Sequence, residues 1–197
     1  MVHLTINFKI FYLLTAICFF IFTPLSYSNE YNVDKSAKNL VKFISDAPME
    51  DFEGITDKID GYLINDDISN LKNSDFYFEV DLNTVKTGIA LRDRHMREDY
   101  LNTAKYRYTS FKGKIIDSKK INDNEYEFTA KGNKFISGNT KEITIKGIIY
   151  KINNSYRVKA SWSIKLPDFN IKVPQFMFLR INEEIKLEVD FYLKKVN

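Results

Sequence analysis

The segment Thr87 to Tyr106, TGIALRDRHMREDYLNTAKY, gathers the side chains of this chain best suited to chemistry. His95 lies close in sequence to Asp93 and Asp99. A carboxylate beside an imidazole can hold it as a general base. Arg92, Arg94 and Arg97 offer guanidinium forks, which suit the planar anionic oxygens of a phosphate or carboxylate head group. Asp93, Glu98 and Asp99 can neutralise part of this charge, leaving one or two arginines for a ligand. Arg92 is the first candidate, because the start of the helical stretch places it nearest the preceding strand. The same residues also fit a plainer role, an ion-paired helix that covers something else. No nucleophile accompanies His95, since the chain has no G-x-S-x-G, no H-E-x-x-H and no phosphate loop. With His3 and His95 as the two histidines and Cys18 as the one cysteine, a His-rich or thiolate metal site is excluded. No cofactor is expected.

These side chains need elements to position them. Asp93 suits an N-cap, and the residues after it predict a short helix. Asp93 with Arg97, and Arg94 with Glu98, stand at i,i+4, where each pair is worth only about 0.2–0.5 kcal/mol. Met96 and Tyr100 share one side of that helix, as do Arg97 and Leu101. The helix is therefore expected to lie with an apolar side inward and a charged side outward.

The flanking runs have period two. Phe76, Phe78, Val80 and Leu82 alternate with Tyr77, Glu79, Asp81 and Asn83. Ile185, Leu187, Val189, Phe191 and Leu193 alternate with charged neighbours, and Val158, Ala160, Trp162, Ile164 and Leu166 give another clean apolar face. Such alternation predicts strands with one wet face. Leu40 to Ser45, Ile55 to Ile64, Tyr106 to Ile116, Glu125 to Lys131, Glu142 to Ile152 and Tyr156 to Leu166 complete about eight strands. Gly61 marks a bulge or a bend in the second of these. Asn122-Asp123-Asn124 and Asn153-Asn154 read as turns. The fold class is all-β: eight antiparallel strands closed into a barrel, with a short helical insert. The inner face then presents Phe76, Phe78, Val80, Leu82, Phe111, Phe128, Ile145, Trp162, Ile164, Leu187, Val189 and Phe191, an apolar lining for a ligand pocket. Eight-stranded barrels are either filled by side chains or hollow enough for one small ligand, and periodicity does not separate the two.

The first 28 residues read as a secretory signal. His3 and Lys9 start it, Ile10 to Phe22 is a charge-free apolar run, and Ser26-Tyr27-Ser28 ends it. A retained N-terminal anchor is the alternative. Cys18 follows Ile17, which does not fit a lipidation site. The expected organisation is a signal over residues 1–28 and one β-barrel domain over 29–197, exported to the periplasm with no disulfide to stabilise it. The net charge of +3 is spread over mixed signs, which excludes a nucleic-acid footprint.

The ordered motifs resemble those of the YceI-like family. They are Phe52-Glu53-Gly54 with Ile59-Asp60-Gly61-Tyr62, then Phe78 to Leu82 with Thr87-Gly88, Leu91-Arg92-Asp93, His95-Met96-Arg97, Tyr100-Leu101 and Lys105-Tyr106. Lys131-Gly132-Asn133 with Ile136 to Lys141, and LPDFNIKVP from Leu166 to Pro174, follow in the family's order. Arg107 stands where the family usually has proline, and Ser137 where it usually has histidine. The resemblance spans about Tyr31 to Val196. It implies a lipocalin-like barrel and a hollow interior. It also implies a carrier of a long-chain, polyisoprenoid-like lipid rather than an enzyme, with Arg92, His95 and Arg97 near the head group. A homodimer fits this reading, and a membrane-integral protein does not. Two other readings use the same residues. A small outer-membrane barrel fits the size and export, although Tyr192-Leu193-Lys194-Lys195-Val196-Asn197 lacks a terminal aromatic. A hydrolase using His95 is the other.

Overall fold

A computed structural model describes residues 29–45, 51–66, 70–152, 155–176 and 179–196. The expected signal over residues 1–28 and the Asn153-Asn154 turn lie outside the described residues. Along the chain run β1 (Asn29–Val33), β2 (Leu40–Ser45), β3 (Phe52–Thr56), β4 (Ile59–Asn65) and β5 (Asp75–Asp81). The short helix α1 (Ala90–His95) follows and continues into one π-helical turn, Met96–Tyr100. Then come β6 (Tyr108–Asn122), β7 (Glu125–Ile136), β8 (Asn139–Ile152) and β9 (Ser155–Lys165). A 3-10 turn at Leu166–Phe169, the two-residue strands β10 (Gln175–Phe176) and β11 (Leu179–Arg180), and β12 (Glu184–Lys195) end the chain.

All ladders are antiparallel, and the ring closes where β12 pairs with β1 at Val33 with Leu193 and Tyr31 with Lys195. β12 also pairs with β2, from Leu40 with Asp190 to Ser45 with Ile185. β1 and β2 therefore lie end to end along one edge of β12 and act as a single broken stave. β4 and β3 pair with β1 and β2 in turn. With β5 to β9 and β12, eight staves form the barrel. The break between β3 and β4 divides the expected Ile55 to Ile64 strand. The Thr56 hydroxyl accepts from the Lys58 amide at 3.1 Å and sits 2.6 Å from the Thr84 hydroxyl. That local side-chain bonding offers the backbone an alternative to the ladder.

Closure removes the edges that invite aggregation. One seam remains. β3 reaches the chain after β5 only through the Ile55–Lys86 bridge, with both amides at 2.9 Å from the opposite carbonyl, among the described residues.

Two apolar clusters hold the barrel. One gathers Tyr31, Leu63, Leu71, Phe76, Ile115, Phe128, Ile149, Phe191 and Leu193. The other gathers Ile136, Leu166, Phe169, Ile171 and Ile185, so the LPDFNIKVP turn folds Phe169 and Ile171 over one end. Burial of each such side chain contributes about 1.5–3 kcal/mol.

Gly61 is a bend and not a bulge, because the β4–β5 register runs through it unbroken. Its φ is +133°, and a Cβ there would lie 2.0 Å from the Tyr77 carbonyl oxygen. The bulges lie instead in β6, between Ile115 and Asp117 and between Lys120 and Asn122. Gly61→Ala is expected to cost more than about 2 kcal/mol, through strain and backbone collision together. Equilibrium urea unfolding checks this, and an unchanged midpoint would contradict it.

Candidate functional site

Because β-strand side chains alternate, every stave turns one row inward. The inward rows enclose a cavity of about 740 Å³. Its size falls in the ~300–1,000 Å³ range of small-molecule sites. The barrel is hollow.

The twelve apolar positions expected to face inward all contribute to the cavity wall. Phe76, Phe78 and Val80 come from β5, with Leu82 just after it. Phe111 comes from β6, Phe128 from β7, Ile145 from β8, and Trp162 and Ile164 from β9. Leu187, Val189 and Phe191 come from β12. The aromatic rings touch one another. Phe76 and Phe111 have centroids 4.9 Å apart, as do Phe78 and Phe191. Members of both apolar clusters complete the wall, including Leu63 and Leu193 at one end and Ile136, Leu166 and Ile171 at the other.

The insert covers part of the mouth. Ile89, Leu91, Met96, Tyr100 and Leu101 reach the cavity, and Ile89 and Leu91 remain 53% and 54% exposed. Asp93 is not the N-cap. The helix starts at Ala90 with Ile89 in the cap position, and Asp93 sits one turn inside, 5% exposed. Its Oδ1 accepts the Thr87 amide at 2.8 Å and the Thr87 hydroxyl at 2.6 Å, pinning the turn that precedes the helix. Burial pushes the Asp93 carboxyl up. The two Thr87 bonds and the charges of Arg97 and Lys86 outweigh that, so it lies below the usual carboxylate range. Neither expected i,i+4 ion pair forms among the described residues, because the π-turn rotates Arg97 and Glu98 out of α-helical register.

The three head-group candidates have different surroundings. Arg92 lines the cavity, but its donors are engaged. Nε donates to the Thr87 hydroxyl at 3.0 Å and Nη2 to the Thr87 carbonyl at 2.7 Å. Its guanidinium also stacks 4.3 Å from the Phe52 ring centroid. His95 lines the cavity from an exposed position and makes no hydrogen bond or ion pair among the described residues, so no carboxylate orients it. Arg97 is not part of the wall, and its Nη1 is buried without a hydrogen-bond partner among the described residues. At the far end of the insert, Ser137 donates to the Leu101 carbonyl at 2.8 Å, tying the insert to the β7–β8 turn. Arg107, the other departure from the family pattern, forks onto Asp81 at 2.6 and 3.0 Å.

Sequence reasoning missed Lys134. The expected strand ends at Lys131, whereas β7 runs on to Ile136 and keeps its alternation. Tyr126, Phe128, Ala130, Gly132, Lys134 and Ile136 therefore share the inward face. Lys134 is 7% exposed and lines the cavity. Burial pushes its ammonium down to about 8. The cue was present in the sequence, since the alternation resumes at Ile136 if it is carried through Gly132.

Outward positions such as Lys112, Lys114, Glu127, Lys131, Glu142, Lys146 and Lys159 are exposed and charged. A membrane-spanning barrel turns an apolar band outward, so this surface has the opposite arrangement. Among the described residues, no helix is long and apolar enough to cross a membrane. The described residues hold no cluster of three or more His, Cys, Asp or Glu side chains able to bind a metal.

A sequence model of the YceI-like domain matches residues 31–193. No curated protein matches the chain. Among solved structures, it is similar to BcnA of Burkholderia cenocepacia, with a TM-score of 0.69 and 15% identity over 81% of this chain and 98% of that one. A polyisoprenoid binding domain from Saccharophagus degradans gives a TM-score of 0.63 at 15% identity, covering 83% of this chain and 97% of that one. The YceI protein of Campylobacter jejuni gives 0.58 at 18% identity, covering 73% and 84%. At these identities, the likeness establishes the shared barrel.

Proposed function

The chain belongs to the YceI-like family, and from that membership and its hollow apolar barrel we propose that it binds and carries a long-chain, polyisoprenoid-like lipid in the periplasm. The observation that carries this reading is the 740 Å³ cavity walled by aromatic and aliphatic side chains. A polyisoprenoid binding domain with the same fold supports it. The apolar run over residues 10–22 and the small-residue end at Ser28 support export, with a mature chain beginning at Asn29.

The mechanism is transfer of an apolar chain from water into the barrel. Each methylene that enters contributes about 0.8 kcal/mol, so affinity rises roughly fourfold per methylene until the chain outgrows the cavity. Entry is by the mouth under the insert. The seam beside β3 is the weakest part of the wall, because it lacks a full ladder. Ile89 and Leu91 give an arriving chain its first apolar contact.

Delipidated protein titrated with a series of prenyl and alkyl chains tests the proposal. Binding at micromolar concentration that strengthens with chain length is the expected result. Val80→Trp, which adds a bulky ring to the wall, is expected to weaken it at least tenfold with the fold retained by circular dichroism. Absence of binding for every chain, or full binding by Val80→Trp, would sink the carrier reading. Native mass spectrometry of protein purified from the periplasm, followed by organic extraction, identifies the natural occupant.

A further inference from the structure

The cavity wall contains no Asp or Glu among the described residues, but it contains three cationic side chains. Two are already engaged. Lys42 directs its ammonium to Glu188 at 3.0 Å and Glu53 at 3.5 Å. Arg92 is held by Thr87 and Phe52. Lys134 is the third. It makes no hydrogen bond and no ion pair among the described residues. Its register partner across the β6 ladder is Phe111. Thr109, a hydroxyl-bearing wall residue on β6, donates its proton to the Phe135 carbonyl at 2.6 Å. The charge stands in apolar surroundings, where an isolated ammonium is costly unless an anion pairs with it.

A pKa near 8 leaves most of the Lys134 population protonated at neutral pH. The empty barrel thus carries one buried positive charge that its own wall does not neutralise. A ligand with one negative charge corrects this, and a neutral ligand leaves the cost in place. A phosphate monoester carries about −1.5 to −2 at pH 7, so one lysine would leave part of its charge unpaired inside the barrel.

We propose that Lys134 is the head-group anchor of this protein, and that the ligand class it takes is a long-chain lipid ending in a single carboxylate, seated acid-first inside the barrel. This rests on the lipid-carrier reading and deepens it. It places the acid on the inner wall and not at the arginines of the insert. The tail then lies along the aromatic row of Phe76, Phe78, Phe111 and Phe191.

The test compares hexadecanoic acid, hexadecanol and hexadecyl phosphate on delipidated full-length mature protein at pH 7, by calorimetry. The wild type is expected to bind the acid at least tenfold more tightly than the alcohol or the phosphate ester. Lys134→Met is expected to lose the acid preference while retaining the alcohol, and Lys134→Arg to keep the preference. If Lys134→Met does not fold, Lys134→Gln serves with the same expected loss. Equal binding of acid and alcohol by the wild type, or a preference that survives in Lys134→Met, overturns the anchor and leaves the carrier standing. A preference for the phosphate ester overturns the carboxylate class. No binding of any of the three overturns the anchor and the carrier together.

Discussion

Lys134→Met is expected to stabilise the ligand-free protein by on the order of 3 kcal/mol at neutral pH. The argument is linkage. The Lys134 ammonium has its ordinary value of 10.5 in the unfolded chain and about 8 in the barrel. Below pH 8 both states hold the proton and the barrel bears the full cost of the buried charge. Between pH 8 and 10 the unfolded chain binds more protons than the folded one, so the wild type gains stability as the pH rises. Above pH 10 the sign reverses. Tyr77 donates to Glu79 at 2.6 Å, and this bond is the main reason its hydroxyl is pushed up to about 12. Stability present while both states hold that proton is lost as the pH climbs toward 12. Ligand-free wild type is therefore expected to be most stable near pH 10. Urea unfolding at pH 7, 8, 9, 10 and 11 measures the curve. Lys134→Met should lie above the wild type at pH 7 and lose the rise between 8 and 10. A wild-type curve that is flat over that window would refute the buried charge.

Asp93→Ala is expected to release the insert and to cost about 2–4 kcal/mol. Leaving a buried donor unpaired costs about 1–3 kcal/mol, and the Asp93 carboxylate serves two. Asp93 accepts two bonds from Thr87, and the nearby positive charges of Arg97 and Lys86 add a smaller favourable contribution. Without the carboxylate, the Thr87 amide and hydroxyl lose their acceptor. Arg92 then loses its fixed partner in Thr87, and the Phe52 stack loosens with it. The loss should be local. Hydrogen exchange is expected to accelerate from Thr87 to Leu101 while β6 to β9 keep their protection. Asp93→Asn, which keeps an acceptor but not the charge, should recover part of the loss. The carboxyl lies below its ordinary range, so its contribution is complete above about pH 4 and disappears as pH falls through the folded value. Uniform exchange across the barrel would argue against the clasp.

The barrel was legible because alternation is a two-residue signal that survives without any knowledge of partners. Phe76, Phe78 and Val80, or Leu187, Val189 and Phe191, declare one face on their own. The hollow was legible only through the family resemblance and not from alternation. Volume follows from strand number, tilt and the sizes of all facing side chains together. The Asp93 misreading has a local cause. An acid one turn into a helix looks like a cap when the turn before it, Thr87 with Gly88 at φ +85°, cannot be seen to fold back. Lys134 was missed for the opposite reason. A lysine on an inward row contradicts the pattern that identifies the row. The rule that found the strands therefore ended β7 at Lys131, before Gly132 and Lys134 interrupt the apolar row. Polar residues that interrupt an apolar face are where local patterning and function part company.

The ring closes between its most distant staves in sequence, with Tyr31 opposite Lys195 and Val33 opposite Leu193. Most ladders join neighbouring strands, but such remote pairings add loop-closure entropy and slow folding, which for β-barrels runs on the order of milliseconds to seconds. No contiguous part of the chain can enclose the interior before β12 arrives to be shared by β1, β2 and β9. Binding competence is thus the last property this molecule acquires as it folds and the first it loses when closure fails. A bound guest favours the closed ring over every open form by mass action. Its presence should be felt most in the unfolding rate, where occupancy slows the opening of the β1–β12 ladder and turns a cargo into a kinetic lock.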